Sequence, residues 1–142
     1  IFDLKKDRSR FSMDSYYPIL GGINSKKRIN SLTTKIKDSF WIHGLGIKCV
    51  SDEPWVTVAE TSECSIAYKK IGEDKIALEL LHNAIAVVDG NSIPYMGWQF
   101  SENIYWPDET PAWTSAACIL AADANNQLTS GANLFLKQQF KP

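Results

Sequence analysis

Four carboxylic residues, Asp14, Asp52, Glu60 and Asp108, and seven aromatic ones, Tyr17, Trp41, Trp55, Trp98, Tyr105, Trp106 and Trp113, are the side chains of this sequence best suited to chemistry. Aromatic faces stack on the C–H faces of sugar rings, and carboxylates accept hydrogen bonds from sugar hydroxyls. Glycosidic cleavage needs one carboxylic acid and one carboxylate base. The four carboxylates are therefore candidate catalytic residues and the seven aromatics candidate substrate-binding residues, on condition that the fold gathers them at one rim. Each also has a structural use. Asp52 and Asp108, with Glu53 and Glu109, stand just before expected helix starts, where a negative charge is worth about 0.3–1 kcal/mol. Trp55 and Trp113 suit a core as well as a ligand platform. Glu60 is different, because a carboxylate near the start of a buried helix must face a cavity or find a partner. Glu63, one turn on, would share an Arg or Lys with it.

Other chemistries lack their residues. Cys49, Cys64 and Cys118 form no CxxC pair, and His43 and His82 lie far from any Asp-x-Cys pair, so neither a structural zinc site nor a disulfide framework is expected. His43 and Cys49 carry no recognised signature of a nucleophile pair. Phosphate-binding GxxxxGK[ST], the Rossmann glycine pattern and HExxH are all absent. The expectation is no metal and no cofactor.

The elements that position these residues read as helices. Residues 1–24 are expected to be irregular, with Pro18 and Gly21-Gly22 marking a turn. From Ser25, Ile29, Leu32, Ile36 and Phe40 form one apolar helical face. Residues 43–54 read as a loop with a short strand. A helix is expected from about Trp55 to Lys70, closed by Gly72, and the next from near Glu73, with Ile76, Ala77, Leu80, Leu81, Ala84 and Val87 on one stripe. Residues 88–109 read as an ordered aromatic loop with a short β-hairpin. A further helix covers about Pro111–Asn125, before a turn at Gly131 and a last helical turn or two through Phe140.

The chain also repeats itself. A shift of 57 residues places Pro54 on Pro111, Thr57 on Thr114 and Ala59 on Ala116, each helix entered from an acidic loop ending in proline. The repeated helices are nearly free of charge apart from Glu60 and Glu63, whereas those between them are amphipathic. Inner helices packed on all sides, alternating with outer ones wetted on one side, give this contrast.

The strings MDSYYPILGG (13–22), GLGIKCVSDEPWVTVAETSE (44–63) and YWPDETPAWTSAACILAADA (105–124) resemble the C-terminal half of bacterial prenyltransferase-like proteins of the α/α-toroid superfamily. That superfamily is the ring of helical hairpins shared by terpenoid cyclases, protein prenyltransferases and six-hairpin glycosidases, and the similarity covers most of residues 12–135. It implies an all-α fold with short β-hairpin loops at one end, the chain being one domain, 1–142, that forms the C-terminal part of a larger toroid. Likeness of fold does not carry a reaction. The Asp, Cys and His zinc set of the prenyltransferases and the DxDD acid of the cyclases are missing. The leading functional reading is a carbohydrate-active or carbohydrate-binding domain, a hydrolase or lyase on glycans if it is an enzyme. A non-catalytic binding or assembly module is the alternative, and prenyl transfer or terpene cyclisation comes third.

Charge narrows the partners. Residues 1–48 hold ten Lys/Arg against four Asp/Glu, and residues 49–142 hold five against twelve. The basic run Lys5, Lys6, Arg8 and Arg10 reads as a solvated arm, since no nucleic-acid motif accompanies it. No apolar run reaches the roughly 18 residues of a membrane span. The expected partners are a glycan or other small molecule and, over the open edge of an incomplete ring, a second copy or the missing N-terminal part of the same chain. Cytoplasmic localisation is expected from the cysteine usage.

Overall fold

The computed structural model describes residues 7–137. Helix α1 spans Met13–Leu20, α2 Lys26–Ser39, α3 Val58–Lys70, α4 Asp74–Ile85 and α5 Ala112–Asn126, followed by a 3-10 turn at Ser130–Asn133. Five short strands complete the described residues: β1 (Trp41–Ile42), β2 (Gly46–Ile47), β3 (Trp55–Thr57), β4 (Gly97–Gln99) and β5 (Ile104–Tyr105). The fold is helical with small antiparallel sheets, β1-β2 and β3-β4-β5.

Helix α3 is the hub. It packs on α1, α4 and α5, while α2 packs on α1 and α4 also touches α5. Buried residues run all around α3: Val58, Thr61, Ser62, Cys64, Ser65, Ile66, Ala67 and Tyr68. By contrast α4 buries one stripe, Ala77, Leu80, Leu81 and Ala84, and exposes the rest. The core gathers Tyr16, Ile19, Ile36, Phe40, Trp41, Ile47, Cys64 and Leu80 between α1, α2, α3, α4 and the β1-β2 ribbon. Buried hydroxyls tie these parts together, because a polar group taken from water needs a partner. Thr61 Oγ1 accepts from Ile47 N at 2.9 Å and donates to Thr57 O at 2.6 Å. Asn125 Nδ2 donates to Ser65 Oγ at 2.9 Å, and Ser65 donates to Ala77 O at 2.7 Å, which links α5, α3 and α4.

Two segments differ from the sequence expectation. Residues 13–20, within the stretch expected to be irregular, form α1 despite Pro18 inside it. Tyr16 and Ile19, three residues apart, are both buried, and packing of that face holds a helix too short to stand alone. Residues 55–57, expected as the first turn of α3, form strand β3 instead. Trp55, Val56 and Thr57 pair with Gln99, Trp98 and Gly97, and their aromatic and β-branched side chains favour the extended form. The sequence repeat therefore diverges locally: the residues after Pro54 are strand, whereas those after Pro111 enter α5 directly. The residues expected to be helical beyond 137 lie outside the described residues.

The leading segments of α3 and α5 still emerge together. Val58 N donates to Met96 O at 3.0 Å, and Met96 N donates to Glu109 O at 2.9 Å. Trp55 crosses β4 to donate from its indole nitrogen to Trp106 O at 2.6 Å. Its path runs over Gly97, where an added Cβ would stand 2.6 Å from Trp55 Nε1 and 2.5 Å from Val56 O. Gly97→Ala is expected to destabilise the fold by about 1–3 kcal/mol through this overlap. Urea unfolding measures the loss, and an unchanged midpoint would contradict the crossing.

Candidate functional site

Between α1 and α5, over the exposed side of α3, lies a cleft of about 540 Å³. Tyr17 and Leu20 come from α1, Glu63, Ile66 and Lys70 from α3, and Trp113, Ala117 and Leu120 from α5, with Leu134 and Phe135 closing one end. Each aromatic reaches the cleft for a local reason. Tyr17 follows Tyr16 on a helix whose other face is core, so it turns outward and is 47% exposed. Trp113 sits in the first turn of α5, one turn before Ala117, which lines the same cleft, and is 62% exposed. Lys70 anchors the far end, donating from Nζ to Leu20 O at 2.8 Å and to Phe135 O at 2.6 Å. Burial holds its ammonium below the ordinary lysine value.

Glu63 is the one carboxylate among the described residues that line the cleft, which Lys70 and Lys137 also line. Tyr16 OH donates to Glu63 Oε2 at 3.0 Å, and the Tyr17 phenol lies close to the same carboxylate. Burial pushes the Glu63 carboxyl above its ordinary range, against the lowering effect of the Tyr16 hydrogen bond, and the nearby Glu60 charge pushes it further. Tyr17 is pushed up to about 12 by burial and by Glu63. The two phenols, 5.1 Å apart and edge to face, thus remain hydrogen-bond donors at neutral pH. Glu60 stands one turn earlier on α3, so the two carboxylates share a side of the helix. The Cys49 thiol hydrogen-bonds Glu60 and is pushed up to about 12, mainly by burial and then by the Glu60 charge.

The sequence led us to expect an Arg or Lys between Glu60 and Glu63. In the structure, tyrosine hydroxyls and a thiol fill that place. Glu63 is a site residue that the candidate set passed over, although its three-residue spacing from Glu60 on a nearly charge-free helix was visible. Tyr16, the buried donor, was legible only as one of a Tyr-Tyr pair.

The remaining candidates are distributed as follows. Asp14 accepts from Arg8 Nε at 3.3 Å, and Asp52 from Arg10 Nε at 2.8 Å. The Arg10 hydrogen bond holds the Asp52 carboxyl below its usual range. Trp41 is 7% exposed and packs against Tyr68 and His43. Trp98 and Tyr105 face each other across β4 and β5. Trp55, Trp98, Tyr105, Trp106 and Asp108 are not among the residues lining the cleft, which brings together Tyr17, Trp113 and Glu63. His43 Nδ1 lies 3.7 Å from Glu79, and Cys49 faces Glu60, so those two side chains have separate partners. Among the described residues no three His, Cys, Asp or Glu side chains converge as a metal site, and no helix is long and apolar enough to cross a membrane.

No family model matches the chain. Over 128 residues, 90% of its length, the chain is 37% identical to the MMP endo-(1,4)-3-O-methyl-alpha-D-mannosidase of Mycolicibacterium hassiacum. It spans 36% of that protein's length, just over a third.

The raised Glu63 carboxyl has a signed consequence. A group bound more tightly to its proton when folded contributes stability that is complete below the unfolded pKa and is lost as pH rises through the folded one. Glu63→Gln, neutral at every pH, is expected to gain stability relative to wild type as pH rises through that window. Urea titrations at a series of pH values measure the gap, and carboxyl carbon NMR locates the Glu63 titration. A gap that does not change with pH would contradict the burial of this charge.

Proposed function

We propose that this chain forms the carboxylate-bearing part of a carbohydrate-active α/α-toroid, in which α1, α3 and α5 line the interior and α2 and α4 lie outside. The observation that carries the reading is Glu63, half-buried at the floor of a cleft and held by Tyr16, with Tyr17 and Trp113 beside it. Trp113 and Tyr17 offer stacking faces for a pyranose, and Glu63 accepts bonds from its hydroxyls. The similarity to a mannosidase supports the same substrate class, an α-1,4-linked 3-O-methylmannose oligosaccharide. The apolar residues Leu20, Ile66 and Leu120 around the carboxylate suit a methylated sugar better than a bare one.

Glycosidic cleavage places two carboxyl groups on opposite sides of the bond. Glu63 supplies one side, whereas Glu60, one turn earlier on α3, is not among the residues lining the cleft. Glu63, raised by burial, suits the acid; it is the one carboxylate lining the cleft among the described residues, so under the toroid reading the opposing carboxylate comes from further hairpins of the ring. The pairing of Asp14 and Asp52 with Arg8 and Arg10 favours the second reading, a non-catalytic binding or assembly module, for those two positions. The zinc and DxDD motifs missing from the sequence speak against prenyl chemistry. Under the toroid reading, Ile119, 68% exposed on α5 and not among the cleft residues, belongs to the open edge of the ring, covered by further hairpins or by a second copy.

Calorimetry with a short α-1,4-linked 3-O-methylmannose oligosaccharide tests the reading. Wild type is expected to bind, Trp113→Ala to weaken binding about tenfold, and Glu63→Gln to weaken it by a smaller factor. Failure of wild type to bind at millimolar sugar, or full retention by Trp113→Ala, would overturn it.

A further inference from the structure

Outside the cleft, the sheet β3-β4-β5 carries a second group of aromatics. Tyr95 stacks on Tyr105 with ring centroids 4.0 Å apart and planes inclined by 11°, and Trp98 meets Tyr105 edge-on at 4.9 Å. Trp106 follows directly and is 56% exposed. Its backbone is fixed on both sides: its N–H donates to Gly97 O at 3.1 Å, and its carbonyl accepts from the Trp55 indole at 2.6 Å. The hairpin that carries it is closed at the other end by Gln99, whose Oε1 accepts from Ser101 N, Ser101 Oγ and Glu102 N. A large aromatic residue held this rigidly and left in water is arranged for contact rather than for the core.

The charges around it define what it would contact. Residues 76–136 contain no Lys or Arg, and Glu102, Asp108 and Glu109 are exposed near the hairpin. Such a surface repels nucleic acid and anionic lipid, and it offers carboxylates only as acceptors. A neutral ligand with an apolar face and several hydroxyl donors complements it on both counts.

We propose that Trp106, with Tyr105 and the neighbouring acidic residues, is a second pyranose-stacking subsite that engages a glycan chain beyond the part held in the cleft. The proposal rests on the carbohydrate reading of the cleft and extends it. Trp113 lies seven residues after Trp106, so the two stacking points are at most about 25 Å apart along the backbone. Trp106 is not among the residues lining the cleft, so only a ligand that extends beyond the cleft touches both.

The experiment compares a short and a long α-1,4-linked 3-O-methylmannose oligosaccharide on wild type, Trp106→Ala and Trp113→Ala. Calorimetry is combined with indole N–H NMR, in which the Trp106 signal is assigned by its absence from Trp106→Ala. We expect wild type to bind the long chain more tightly than the short one. Trp106→Ala should lose about fivefold for the long chain and nothing for the short, and the Trp106 indole signal should move only with the long chain. Trp106 is exposed, so an unchanged unfolding midpoint verifies that the variant folds. Binding of both oligosaccharides with no dependence on Trp106 overturns the second subsite and leaves the cleft reading standing. Absence of binding by either overturns both. A Trp106 signal that moves with anionic phospholipid vesicles instead of sugar overturns the subsite as well.

Discussion

The structure depends on one constraint: α3 is enclosed by α1, α4 and α5, so the polar groups it carries are bonded inside the protein or directed to the one side left open, the buried Tyr68 hydroxyl being an exception. Thr61 and Ser65 take the first course, and both bond backbone carbonyls, Thr57 O at the end of β3 and Ala77 O at α4. Glu63 takes the second, with its carboxylate at the floor of the cleft. The free energy of an unbonded buried hydroxyl, roughly 1–3 kcal/mol, explains why those ties are made. A carboxylate without partners would cost far more, and Tyr16 supplies one, with Tyr17 close by. Tyr16 therefore has two duties, since its ring is fully buried core and its hydroxyl holds the charge. A fold built around a hub helix of this kind places a carboxylate at its centre without a cation beside it.

The charge distribution of the chain has a spatial meaning. Arg8 and Arg10, from the basic first part, engage Asp14 and Asp52 and also flank the Phe11 ring at 5.6 and 5.7 Å. These exposed pairs add little stability, but they neutralise two of the carboxylates that the sequence nominated. Residues 76–136 contain no Lys or Arg, so the aromatics and carboxylates of that stretch are not neutralised by cations of their own segment. Phenols beside Glu63 and free carboxylates beside Trp106 both favour a neutral, hydroxyl-bearing ligand over an anionic one.

Much of the helical framework was legible in the chain. The apolar stripe of α4, the face of α2 with Ile36 and Phe40, α3 with only Glu60 and Glu63 charged before its closing lysines, and α5 with only Asp123 charged follow from side-chain patterning, which burial on one face or on all faces imposes directly. The aromatic hairpin was legible as well, from the turn residues between its aromatic positions. Helix α1 and strand β3 were not. Helix α1 exists because Tyr16 and Ile19 find the rest of the core, and β3 because Gly97–Gln99 returns beside it from forty residues away. Local sequence has no information about either meeting.

By itself, then, the sequence determined which residue types this protein could use and which elements would carry them: helices of alternating character, an acidic and aromatic later half, and no recognised metal or phosphate motif. Tertiary packing decided which of those residues work together. It set Glu63 beside Tyr16 across 47 positions of sequence, paired Asp14 and Asp52 with arginines, buried Trp41 in the core, and left Trp106 and Trp113 in water. The physical reason is that type and periodicity are local properties of a chain, whereas a carboxylate's partners and an indole's exposure are fixed by whatever distant segment the core brings against it.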